Sequence, residues 1–152
     1  MPAVIALLFV LLVPLVQGCS SSDGPDVSFH TVIFLPSNVS IRAEAAETDL
    51  ARQRGLMHRT SLGQNDGMIF YFADKANHSF YMYNTRIPLS VIFLDETLRI
   101  VDILDMEPCP SQNPGDCPIY TPRAPCRYAI EVNQEFVRKH GITIGDTAKI
   151  AK

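Results

Sequence analysis

Cys109, Cys117, Cys126 and Glu131 have the most scope for chemistry in this sequence. Thiols can pair, ligate a metal or attack as thiolates, and a carboxyl can move protons. Their spacing narrows these options. A zinc site needs cysteines about two residues apart or similarly close histidines. Here seven residues separate Cys109 from Cys117, and His30, His58, His78 and His140 stand apart. No metal and no cofactor is therefore expected. A thioredoxin-like couple would need C-x-x-C at a helix start, and a serine hydrolase G-x-S-x-G; the sequence has neither. The three thiols allow three single bridges, with one thiol left over. For catalysis there remain Cys126, or Glu131 working with His58. Glu131 is flanked by Ala129, Ile130 and Val132. Strand alternation puts Tyr128, Ile130 and Val132 on one face. Glu131 is then either an outward residue on a one-sided strand or a carboxyl at a cavity mouth.

A second candidate is "FYMYNTRIPL", residues 80–89. Phe80, Met82 and Asn84 share one face of an extended strand, and Tyr81, Tyr83 and Thr85 the other. Asn84 continues an otherwise apolar row, and a buried amide must find partners. It either ties down the turn that follows or ends an aromatic wall with a polar spot.

The elements that must position these residues are mostly strands. "VSFHTVIFL" (27–35) is β-branched and aromatic, and "VSIRAEAA" (39–46) alternates, with a turn at Pro36-Ser37-Asn38 between them. "TDLARQRGLM" holds a helix start at Thr48 or Asp49 and a stop at Gly55. "GMIFYF" (67–72) and "FYMYN" (80–84) are further strands. "SVIFLD" and "LRIVDIL" form a hairpin around Asp95-Glu96-Thr97. Residues 108–125 hold six of the eleven prolines, which excludes a central strand or a helix there. "RYAIEV" (127–132) is a strand, and "NQEFVRKHG" a short helix with Asn133 as cap and Gly141 as stop. "DTAKI" closes the chain as a short strand. The pattern predicts an α+β domain with a mainly antiparallel, strongly curved or barrel-like β-sheet and two short helices.

The first eighteen residues carry no charge. Their apolar run, Ala3 to Val16, is shorter than the roughly 20 residues that span a bilayer. It fits the h-region of a secretory signal, about 7–15 residues long. It ends in Val16-Gln17-Gly18-Cys19, which resembles the lipobox of bacterial lipoproteins. That resemblance implies cleavage before Cys19 and a lipid on it. "SSSDGPD" (20–26) reads as a flexible tether, leaving 27–152 as one globular domain. The chain is expected to be exported and lipid-anchored to the cell envelope. In a host with two membranes, Ser20 after the cysteine resembles lipoproteins sent to the outer one, which implies its periplasmic face. A formal charge of −3 with scattered signs offers no basic stripe for nucleic acid.

Seven segments occur in an order with a family pattern: "RGLMHR" (54–59), "DGMIFYF" (66–72), "FYMYNTRIPLSVIFLD" (80–95), "MEPC" (106–109), "CPIY" (117–120), "YAIEVN" (128–133) and "HGITIGD" (140–146). Over residues 39–150 the chain resembles the bacterial and archaeal domain-of-unknown-function 192 family. Tyr81 stands where the family typically has Trp, and Ser90 where it typically has Asp. The resemblance implies a small secreted or lipid-anchored domain and carries no established activity. "MEPC…CPIY" resembles positions paired in some members. In an exported domain pairing is the default, so Cys109–Cys117 is the first choice of bridge, stapling the proline-rich loop. Cys126 is then a buried free thiol, a partner of Cys117 instead, or a reactive thiol. The polar residues inside the motifs are Arg54, His58, Arg59, Asn84, Thr85 and Glu131. With Tyr81, Met82 and Tyr83 as walls, they outline a shallow pocket for a small polar ligand or for a peptide or glycan segment of an envelope partner. The reading is a non-catalytic binding or accessory module, with an envelope hydrolase or thiol-dependent enzyme as the alternative.

Overall fold

The computed structural model describes residues 27–152. The expected signal, Cys19 and the tether lie outside the described residues. The first hairpin joins β1 (Phe29–Leu35) to β2 (Val39–Ala46). α1 (Asp49–Arg54) follows, capped by the Thr48 side chain, which accepts from the Ala51 N–H. Gly55 ends it at φ 45°, in the left-handed region. β3 (Asp66–Ala76) is long, and β4 (Phe80–Tyr81) is short. β5 (Leu89–Leu94) and β6 (Ile100–Met106) form a hairpin whose turn is held by Asp95. The proline-rich segment makes a 3-10 turn (Pro114–Asp116) and β7 (Ile119–Tyr120). β8 (Cys126–Asn133), α2 (Gln134–His140) and β9 (Thr147–Ala151) complete the chain.

Seven strands form one sheet in the order β6-β5-β8-β3-β2-β1-β9, and β4 pairs with β7 in a separate ribbon. The expectation of a mainly antiparallel sheet is corrected at β2 and β3. These run parallel, with Ala43 opposite Gly67, so the sheet is mixed. The reason is α1: a helix between two strands returns the chain in the same direction. The sheet curls into a half-barrel. Arg99 bridges Thr147, and Ile100 N–H donates to Asp146 O at 2.8 Å, so the two edge strands meet at one end.

Two apolar clusters lie on the two faces of this sheet. Inside the curl, Val32, Phe34, Ile41, Ile69, Ile92 and Ile130 pack with Phe136 of α2. On the outer face, Phe70, Val91, Phe93 and Ala129 are covered by Phe80, Met82 and Ile87. β5 is therefore buried along its whole length, which matches its unbroken "LSVIFL". Edge-to-face contacts link Phe70 to Phe80 at 5.0 Å and Phe80 to Phe93 at 5.6 Å between ring centres.

Two local expectations are corrected. The strand expected over 80–84 stops at Tyr81, because Asn84 takes a left-handed φ of 55° and the Thr85 N–H turns back to Met82 O. Asn133 does not cap α2 with its side chain; Nδ2 donates to the carbonyls of Leu62 and Gly63.

Candidate functional site

Successive residues of β8 face opposite sides of the sheet. Ile130 and Val132 enter the inner cluster and Ala129 the outer one, so Glu131 shares the outer face with Ala129. That face is itself covered, and Glu131 is only 5% exposed. Its strand partners are Met68 and Val91. Oε2 is buried with no hydrogen-bond partner among the described residues. Desolvation pushes the carboxyl up to about 8.

Gly55 stands over this carboxyl. A methyl group placed there would lie 3.7 Å from Oε2 and 3.6 Å from the Phe70 ring. With φ at 45°, the position suits glycine on backbone grounds as well. Glu131 lines a cleft of about 430 Å³, within the size range of small-ligand sites. Phe70, Phe72 and Phe80 form its apolar wall, and Arg52, Arg54 and Thr85 are among its polar lining. His78 stacks on Phe72 at 3.7 Å, and its Nε2 lies 3.5 Å from Asp74 Oδ1. Arg52 is tied down by the carbonyls of Glu47 and Tyr71 and by Asp49. No three His, Cys, Asp or Glu side chains among the described residues gather closely enough to hold a metal ion.

Of the residues singled out from sequence, Arg54, Tyr81, Thr85 and Glu131 line this cleft. Arg59 does not; it pairs with Glu44 at 2.5 Å and lines a neighbouring groove that shares Arg54 and Gly55. His58 is exposed at a φ of 64°, and its N–H donates to Asn84 O at 2.8 Å. Asn84 thus works through its backbone, pinning the turn after α1 to residues 82–85. The sequence reading missed Arg52, Phe70, Phe72, His78 and Phe80 in the cleft, and took Gly55 only as a helix stop. For Gly55 a signal existed: it opens "GLM" directly before the buried Leu56.

Cys109 and Cys117 are joined by a disulfide, with Cα atoms 5.5 Å apart. Cys109 N–H also donates to Met82 O at 3.4 Å, tying the stapled loop to the covering segment. Cys126 is free and 0% exposed. Burial pushes its thiol up, and its Sγ faces Ala76 O at 3.6 Å. That is the opposite of the electropositive, accessible setting that activates a thiolate.

The model of the DUF192 family, described as an uncharacterized ACR, matches residues 32–150. The chain belongs to this family. The DUF192 match begins within β1 and ends within β9, so it takes in Gly55, Glu131 and the whole cleft. Two solved structures resemble this DUF192 domain. A protein of unknown function from Novosphingobium aromaticivorans DSM 12444 is 30% identical, with a TM-score of 0.70, over 81% of this chain and 84% of that one. A protein from Sinorhizobium meliloti 1021, provisionally described as a transcription regulator, is 26% identical, with a TM-score of 0.72, over 82% of this chain and 95% of that one. No curated protein sequence matches the chain.

Proposed function

We propose that this DUF192 chain is a non-catalytic binding module of the cell envelope. It takes a small polar ligand, or a polar segment of an envelope protein or glycan, in the Glu131 cleft. A lipid on Cys19 holds it at the membrane, with Ser20 favouring the periplasmic face of the outer membrane in a host that has two. The observation that carries the binding reading is the Glu131 carboxyl, buried at an aromatic-walled cleft with Oε2 unpartnered among the described residues. A buried polar atom without a partner costs about 1–3 kcal/mol. A ligand group that satisfies it recovers that cost, which couples occupancy to stability. The signal-like start, the lipobox-like "VQGC" and the stapled loop support the envelope reading. The regulator description belongs to the Sinorhizobium protein; a net charge of −3 without a basic stripe does not favour the same reading for this chain.

An enzymatic reading would use the same carboxyl as a general acid, since its value lies near neutrality. No acid or base hydrogen-bonds to Glu131 among the described residues: His78 lines the cleft without reaching it, and His58 lies off the cleft. The test is a panel of polyols, sugars, amino sugars and dipeptides, read by thermal unfolding of the full chain and of Glu131→Leu, which keeps the volume and removes the carboxyl. At least one compound should raise the melting temperature of the native chain and not of the variant. If both respond alike to every compound, the cleft is not the site. Turnover of a compound that stabilises the chain would favour the enzyme. For the anchor, Cys19→Ser should move the protein from the membrane to the soluble fraction; retention in the membrane would refute the lipid.

A further inference from the structure

We infer that Glu131 meets its ligand as a neutral carboxylic acid, so that the cleft selects an uncharged hydroxyl- or amide-bearing group over the corresponding amine cation. This rests on the binding reading of the same cleft and adds the charge class of what enters it.

The inference starts from the surroundings of the carboxyl. Across the sheet Glu131 faces Met68 and Val91, both apolar. Phe70 and Gly55 close over it. Among the described residues no donor reaches Oε2, and no cation pairs with Glu131. An ionised carboxylate so placed would have nothing to offset its desolvation, so the group keeps its proton. The upward shift to about 8 agrees with this.

The charged and titratable groups facing the cleft add no preference for a cation. α1 contributes Asp49, Arg52 and Arg54; β3 contributes Asp74, the turn after it His78, and β4 Tyr81. β5, packed against β8, brings no charged residue. Asp49 is taken by Arg52, and Asp74 lies beside His78. Arg54 has no ion-pair partner among the described residues, and with Glu131 neutral the two arginines and two aspartates of the lining balance, which leaves no net negative charge to draw in a cation. An entering ammonium gains no ion pair from Glu131 while the acid keeps its proton. A neutral carboxyl instead offers one O–H donor and one carbonyl acceptor. Hydroxyl and amide groups answer both, and the phenylalanine wall takes the apolar part of such a molecule.

N-acetylglucosamine and glucosamine make a matched pair of probes, because at about pH 6 the first is uncharged and the second an ammonium. The full chain, in mild detergent and labelled with ¹³C at its glutamate carboxyls, is titrated with each. The Glu131 resonance should report a neutral acid at that pH. N-acetylglucosamine should bind at least about tenfold more tightly than glucosamine. Glu131→Gln, which mimics the neutral acid, should keep that preference, and Glu131→Leu should lose it. An ionised Glu131 at that pH, or tighter binding of glucosamine that Glu131→Gln abolishes, overturns the inference and leaves the binding reading standing. If neither sugar moves any cleft resonance, the inference falls. The binding reading falls with it only if the wider compound panel is equally silent. The pH titration of the native chain needs no variant to fold, and a Glu131 midpoint near the ordinary carboxylate value is by itself a refutation.

Discussion

Glu131 binds a proton more tightly folded than unfolded, and this makes stability depend on pH with a definite sign. Its value rises from 4.5 to about 8 on folding, through desolvation. Between those values the native state holds a proton that the unfolded state has released, so stability falls as pH rises. The contribution is complete below 4.5 and gone above about 8; it amounts to a few kcal/mol across that window. Asp102 works the other way. Burial opposes its ionisation, but hydrogen bonds from Arg123 and backbone N–H groups outweigh that and lower its value. Its contribution is lost as pH falls through the acid range. Urea unfolding from pH 4 to 8 should show stability declining toward the alkaline end, and Glu131→Gln should flatten that decline. An unchanged slope in the variant would mean that Glu131 is not the group responsible. The alternation of β8 correctly separated Glu131 from Ile130 and Val132. What alternation could not supply is the second layer: whether an outward face meets water depends on residues 80–89, some forty to fifty positions away in the chain.

The segment from Phe80 to Leu89 is the element that turns a one-sided sheet into a two-sided one. Met82 is fully buried, and its carbonyl accepts from both Thr85 and Cys109 N–H groups. Met82→Ala should cost about 2–5 kcal/mol through lost contacts and a cavity, measured as a shift in the denaturant midpoint. A cost below about 1 kcal/mol would show that the segment does not seal the outer cluster. Elements defined by local chemistry were legible: α1 begins at its Thr48 cap and ends at Gly55, α2 ends at Gly141, and Asp95 builds the β5–β6 turn. Elements defined by a distant partner were not. Nothing local in "VSIRAEAA" says that it will run parallel to β3. Asn133 has the composition of a cap, yet carbonyls of the 62–63 loop take its amide. The cleft follows the same division. Glu131 and Thr85 stand out as polar residues beside apolar runs, whereas Arg52 and His78 sit in polar stretches that mark nothing, and Phe70, Phe72 and Phe80 read simply as core.

At the scale of the molecule, two apolar layers share one sheet, and a short covalent loop fastens the outer one. Residues 109–117 are closed by the disulfide, and Cys109 N–H reaches Met82 O. Replacing both cysteines by serine should cost about 2–3 kcal/mol by freeing the unfolded chain. The same double variant should loosen the Phe80 layer before the inner cluster, visible as faster hydrogen exchange at Met82 and Thr85 than at Ile92 or Ile130. Uniform loss of protection would argue that the loop staples the whole domain and not one layer. The inner face has a fastening of its own, the contact of Arg99 and Ile100 with Asp146 and Thr147. A strand whose outer backbone groups are already engaged cannot serve as a template for another chain. Because β6 and β9 engage each other where they begin, unwanted strand addition to β6 has to start further along it, toward Ile103–Met106. Self-association through this edge should therefore nucleate there, which makes Asp105 on that stretch the position from which a charge guards it.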